Sequence, residues 1–164
     1  MTTRKVSELD DQVRQLIDAA AEARRNAHAP YSGFPVGAAL RASDGAVFPG
    51  CNVEISSYGL TMCAERVALF AARAAGAESF EMLAVVGPGH EDNPTPPCGA
   101  CRQVIWDLAG DIPVYLATPS GRVECRRASE LLPNPFGPED LVDGADTTEA
   151  RTAGDDPSSK PDTE

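Results

Sequence analysis

Cys98 and Cys101, in the stretch PCGAC, stand three residues apart where a helix begins. At i and i+3 their sulfurs lie on one helical face and can reach one ion. A structural zinc site takes four protein ligands, yet the chain has no second CxxC and only two histidines. Cys63, in the stretch CAE, opens another helical segment. Three thiolates from Cys63, Cys98 and Cys101 leave the fourth tetrahedral position open, which marks a catalytic zinc site rather than a structural one. The positive ends of two helix dipoles also favour thiolate over thiol. Glu65 follows Cys63 by two residues. A carboxylate there can move protons to and from a water, and three charge-donating thiolates make such a base more useful. Arg66 either offsets the negative charge of a tris-thiolate site or is an ordinary solvated helix arginine.

The elements that must position these residues follow from periodicity. Leu9, Val13, Leu16, Ile17 and Ala20 recur at helical spacing behind Ser7, read as the N-cap of a helix running to about His28 and stopping before Pro30. Val36, Ala38 and Leu40 alternate, and Ser43, Asp44 and Gly45 turn the chain into a second strand over 46–54. Pro49 within it hints at an edge or a bulge. A helix over 63–76 carries Val67, Phe70, Ala71 and Ala74 on one face, and a buried strand follows at 80–87. The CxxC helix spans 99–109, further strands lie at 112–118 and 123–126, and ASELLP forms a brief helix. This order gives an α/β protein, three-layer α/β/α, with helices on both faces of one mixed five-stranded sheet.

The length of 164 residues suits one domain with a tail. The formal net charge is −11, but nine acidic and two basic residues from Glu139 onward carry −7 of it. We therefore expect a catalytic domain over 1–142 and an acidic, disordered tail over 143–164. The body lacks the clustered basic face of a nucleic-acid binder. The N-terminus has no apolar signal core and no apolar run reaches membrane-spanning length, so a cytoplasmic protein without membrane contact is expected. Five cysteines, an odd number, need not form disulfides in a reducing compartment. Cys51 and Cys125 read as small strand residues, and His90 as an exposed loop residue.

CAE at 63–65 and PCGAC at 97–101, with 34 residues between Cys63 and Cys98, resemble the cytidine deaminases, in which a glutamate that is not a metal ligand acts as acid and base. YSGFPVGAAL (31–40), GCNVEISSYGLTMCAER (50–66), CGACRQV (98–104) and ELLPNPFGPEDL (130–141) are similar to the small homotetrameric type, over roughly residues 10–141. The resemblance implies one zinc per chain and hydrolytic deamination of cytidine and 2′-deoxycytidine to the uridines plus ammonia, in pyrimidine salvage. Glu65 would carry the proton to ring N3 and then to the leaving amine. Asn52 and Glu54 match a pair that hydrogen-bonds the sugar, chiefly its 3′-hydroxyl; two apart on a strand, they share a face, although a solvated strand face would do the same. Phe34 matches an aromatic packed on the pyrimidine, and Ala64 falls among the substrate-binding positions. Tyr58 and Phe136 match residues that reach toward a neighbouring subunit's site.

Two features depart from the family pattern: Ile55 stands where relatives commonly have Asn, and the tail beyond Leu141 has no counterpart. A blasticidin-type antibiotic deaminase shares the zinc core, but Glu54 favours a free nucleoside whose hydroxyls need a polar partner. A non-enzymatic zinc module would leave Glu65 and the Asn52/Glu54 pair without a purpose. A redox CxxC would hold no metal.

Overall fold

Helix α1 (Asp11–Arg24) buries Val13, Leu16, Ile17, Ala20 and Ala23, the stripe set by its apolar spacing. Residues 4–89 and 93–141 are described by this computed structural model; His90 and the expected tail from 143 lie outside them. The helix starts later than its sequence suggests. Val6–Glu8 forms a 3-10 turn that takes up Ser7, and Asp10 becomes the N-cap. It also ends earlier. His28 leaves the helix to bridge Val53, donating its N–H to the Asn52 carbonyl (2.9 Å) and accepting from the Glu54 N–H (2.8 Å).

The sheet comprises β1 (Arg4–Lys5), β2 (Gly37–Ala42), β3 (Val47–Cys51), β4 (Phe80–Val86), β5 (Pro113–Ala117) and β6 (Arg122–Arg127), in the order β1-β6-β5-β4-β2-β3. Only β4 and β5 run parallel; every other neighbouring pair is antiparallel. The sheet thus has six strands rather than the expected five. The extra one is Arg4–Lys5 paired with Arg122 and Val123, too short to show a period-2 pattern. Pro49 sits in β3, the outermost strand, where its missing N–H costs no ladder bond to a further neighbour.

Alternation along the central strands divides the core into two layers. Ala39, Ala84, Val86, Ala117 and Val123 face α1, whereas Ala38, Leu40, Leu83, Val85, Val114 and Leu116 face the opposite helices. Those helices are α2 (Ala64–Ala74), α3 (Gly99–Ala109) and the short α4 (Ala128–Leu131). This is the three-layer arrangement expected.

Helix α2 turns an unexpected side to the sheet. It buries Ala64, Glu65, Ala68, Leu69 and Ala72, while Phe70, Ala71 and Ala74 face outward. Small residues win the inner face because the helix lies so close to β3. A Cβ on Gly50 would sit 2.5 Å from the Ala68 nitrogen and 2.6 Å from the Ala64 carbonyl. Glycine at that position lets the first turn of α2, with its catalytic candidates, rest directly on the strand.

Candidate metal and catalytic site

Cys63 and Cys98 are the N-cap residues of α2 and α3, both in extended backbone conformation, and neither side chain caps its own helix. Their sulfurs are left to face each other, 3.9 Å apart. Cys101, one turn into α3, is fully buried, and the three sulfurs all lie within 4.8 Å of one another. Four-coordinate zinc with Zn–S bonds of about 2.3 Å spaces its sulfurs by roughly 3.8 Å, so the Cys63–Cys98 spacing matches that geometry.

The charges point the same way. The Cys63 thiol is lowered to about 5, first by its hydrogen bond with Cys101 and then by Arg66 and Cys98. The Cys101 thiol is pushed up, chiefly by that same bond and by burial. Cys63 and Cys101 thus compete for one negative charge. A divalent cation ends the competition by letting all three ionise. Arg66 stands beside them, with Nη2 3.5 Å from Cys63 Sγ and 3.4 Å from the Thr61 carbonyl. Among the described residues its Nε is buried without a hydrogen-bond partner, so the guanidinium is held there by charge rather than by a full set of hydrogen bonds. Cys63, Cys98 and Cys101 form a metal-binding group whose donor set fits zinc.

Glu65 lies on the first turn of α2, 5% exposed. Burial raises its carboxyl to about 7, with the Cys63 charge adding to the effect. Such a group both accepts and gives a proton near neutrality. A cavity of about 400 Å³ opens over it, lined by Cys63, Cys98, Ala64 and Glu65 at one end and by Phe34, Asn52, Glu54 and Tyr58 at the other.

At the far end, polar groups are matched rather than competing. Asn52 donates Nδ2 to the Phe34 carbonyl (3.0 Å) and accepts the Val36 N–H on Oδ1 (2.8 Å). Glu54 Oε2 accepts the N–H groups of Tyr31 (2.9 Å) and Ser32 (3.1 Å), and its Oε1 accepts the Ser32 hydroxyl and the Tyr58 hydroxyl (3.4 Å). Those bonds, the Ser32 hydroxyl first, hold the carboxyl below its ordinary value. Tyr58 stands edge-on to Tyr31, ring centroids 6.4 Å apart.

The structure therefore brings eight of the sequence-derived site residues to one cavity, with Cys101 joined to them through the metal-binding group. Arg66 adjoins it through Cys63, but Phe136 does not line it. That ring is exposed beyond α4, and its carbonyl accepts from Gln103 Nε2 at 2.8 Å. Tyr58, which the family pattern directs to a neighbouring subunit, lines the cavity of its own chain. Ile55 is exposed, its N–H donates to Thr61 Oγ1 (3.2 Å), and its side chain is not part of the cavity lining. Cys51 donates to the Asn26 carbonyl (3.4 Å), and neither it nor Cys125 joins the metal-binding group. Sequence reasoning gave no site role to Ser32, Val36, Thr61, Val85, Thr95 and Pro96, which complete the lining. Ser32 lies inside the motif at 31–40 and Thr95 just before the one at 97–101, but neither residue type signals a pocket by itself.

A mixed three-layer sheet carrying three thiols and a buried carboxylate at two helix N-termini defines a zinc-dependent hydrolytic centre. The chain belongs to the cytidine and deoxycytidylate deaminase zinc-binding family, whose model matches residues 10–116. It is 49% identical over 130 residues to the cytidine deaminase of Sporosarcina psychrophila, covering 79% of this chain and 94% of that one. Among solved structures, it matches cytidine deaminase from Burkholderia pseudomallei at 50% identity and a TM-score of 0.72, covering 78% of this chain and 100% of that one. The Mycobacterium tuberculosis enzyme matches at 41% identity and a TM-score of 0.66, with 78% and 99% coverage.

Proposed function

We propose that this chain hydrolytically deaminates cytidine and 2′-deoxycytidine, releasing ammonia and the corresponding uridines, in pyrimidine salvage. The observation that carries this reading is the shared cavity. A three-thiol cluster and a buried carboxylate stand at one end, and two sugar-facing candidates stand at the other. Zinc held by Cys63, Cys98 and Cys101, one per chain, supplies Lewis acidity that makes water a nucleophile near neutral pH. Glu65 takes one proton from the attacking water and delivers it to ring N3. It then takes the remaining hydroxyl proton of the C4 adduct and delivers it to the departing amine as the C–N bond breaks. Its raised carboxyl suits both halves of that task. Arg66 balances the thiolate charge. Phe34 packs on the pyrimidine, Ala64 borders the base, and Asn52 and Glu54 read the sugar.

Assembly as a homotetramer is part of the same proposal. Phe70 and Ala71 are exposed apolar residues on α2, and Leu60 is 66% exposed. Phe136 is placed on this reading to complete a neighbour's site, which accounts for an exposed aromatic off its own cavity. Among the described residues, no helix is long and apolar enough to cross a membrane. We assign the protein to the cytoplasm, with catalysis in residues 1–142 and the segment 143–164 dispensable.

Adding cytidine to purified protein should give the absorbance loss of conversion to uridine, with about one zinc per chain by elemental analysis. No turnover from fully zinc-loaded protein would overturn the activity. A stable, active monomer in light scattering would refute the tetramer, and loss of activity on deleting residues 144–164 would refute the domain assignment.

A further inference from the structure

Ser32 has no counterpart among the residues so far given roles, yet its hydroxyl joins two of them. A serine hydroxyl offers one donor and two acceptor positions. Its donor goes to Glu54 Oε1, and one acceptor position takes the Phe34 N–H at 3.0 Å. The Ser32 N–H donates to the other oxygen of the same carboxylate. Between Ser32 and Phe34 the chain passes through Gly33 at φ +63°, a left-handed turn that side-chain-bearing residues enter only with strain. That turn lets Ser32 and Phe34 both face the cavity. The carboxylate and the aromatic are thereby tied through one oxygen atom.

We infer that Ser32 is a positioning residue that holds Glu54 and Phe34 in a fixed relation, so that sugar and base are read as one unit. The inference rests on the proposed roles of Glu54 and Phe34 in nucleoside binding. Glu54 also receives the Tyr31 N–H and the Tyr58 hydroxyl, so loss of Ser32 loosens the carboxylate without freeing it. The effect belongs to binding and specificity rather than to the proton transfers.

The test is a double-mutant cycle on the zinc-loaded enzyme, with Ser32→Ala, Ser32→Thr, Glu54→Ala and the Ser32→Ala/Glu54→Ala pair assayed on cytidine and 3′-deoxycytidine. Ser32→Ala should raise KM for cytidine roughly tenfold and change kcat less than about threefold, as loss of one charge-assisted bond among several implies. Its preference for cytidine over 3′-deoxycytidine should fall. Ser32→Thr keeps the hydroxyl and should stay within about threefold of wild type. In the Glu54→Ala background, Ser32→Ala should add less than about twofold, because interacting residues are not additive. Full additivity, or a Ser32→Ala enzyme with wild-type KM, would overturn the inference. If Ser32→Ala does not fold, Ser32→Cys supplies a slightly larger group with a weaker donor and should shift KM the same way. Should Glu54→Ala keep the wild-type preference between the two nucleosides, the sugar-reading role of Glu54 fails. The KM cycle on cytidine then still decides whether the pair acts together.

Discussion

At one end of the cavity, Cys63, Cys98 and Glu65 stand on or beside the first turns of two eleven-residue helices. At the other, Asn52 and Glu54 lie just past the edge strand β3 and bind the backbone of residues 31–36. Among the described residues, the first end leaves its polar groups in conflict, with the Cys63 and Cys101 thiols shifted in opposite directions and a buried guanidinium nitrogen unpaired. At the second, the amide and the carboxylate are hydrogen-bonded. On the proposed roles, the reactive groups are held on helices with their charge unsettled, and the recognition groups are settled against a loop. Changes at the helix end should therefore remove chemistry, whereas changes at the loop end should alter selectivity.

The largest effects should come from the helix end. Cys63→Ala, Cys98→Ala and Cys101→Ala should each lose the zinc and the activity, while Cys51→Ala and Cys125→Ala retain both. Elemental analysis showing full zinc in Cys63→Ala would break the assignment. Glu65→Gln should keep zinc and fold but lose at least the roughly 10²–10⁴-fold typical of an acid–base group. Near wild-type turnover there would mean that another group moves the protons.

At the loop end, Glu54→Ala should cost efficiency on cytidine by roughly tenfold or more and erase much of the preference over 3′-deoxycytidine and free cytosine. The zinc should stay. Equal kcat/KM of the wild type for cytidine and free cytosine would rule out sugar reading by this end. Gly50→Ala probes the support beneath the helix end. Its new methyl meets α2 backbone rather than a movable side chain, and such overpacking destabilises by about 1–3 kcal/mol. An unchanged thermal midpoint would show that α2 is not pinned there.

The smallest effect expected is a pH dependence at the loop end. The Glu54 carboxyl titrates below its unfolded value near 4.5, so its ionised form stabilises the fold above that pH. That contribution fades as the pH falls through the lowered folded value. The stability gap between wild type and Glu54→Gln should thus be present at pH 6 and vanish toward pH 2 in denaturant melts. A gap that persists unchanged in acid would mean the carboxylate charge contributes nothing.

The contrast also explains what the sequence made legible. Thiol ligands and their carboxylate declare themselves by type and spacing, so Cys63, Glu65, Cys98 and Cys101 could be read directly. Layer order followed from alternating apolar runs. The buried face of α2 was less plain, because Val67 and Phe70 outweigh Ala64, Ala68 and Ala72 in hydrophobicity but are too large for a helix lying on Gly50. Ser32 escaped notice because a serine has many uses and only three-dimensional contact shows which one applies. His28 looked like a helix end, since a single bridge to Val53 has no periodic signal.

The 35-residue separation of Cys63 and Cys98 has a thermodynamic consequence. Two helices on the sheet must be in place before the sulfurs meet, so the unfolded chain offers zinc no comparable grip. A ligand confined to the native state adds stability that grows with its free concentration, about 4 kcal/mol at a thousandfold excess over its dissociation constant. The melting temperature is thereby a gauge of free zinc. Titrating a chelator against it measures the metal affinity of the folded chain with no nucleoside present.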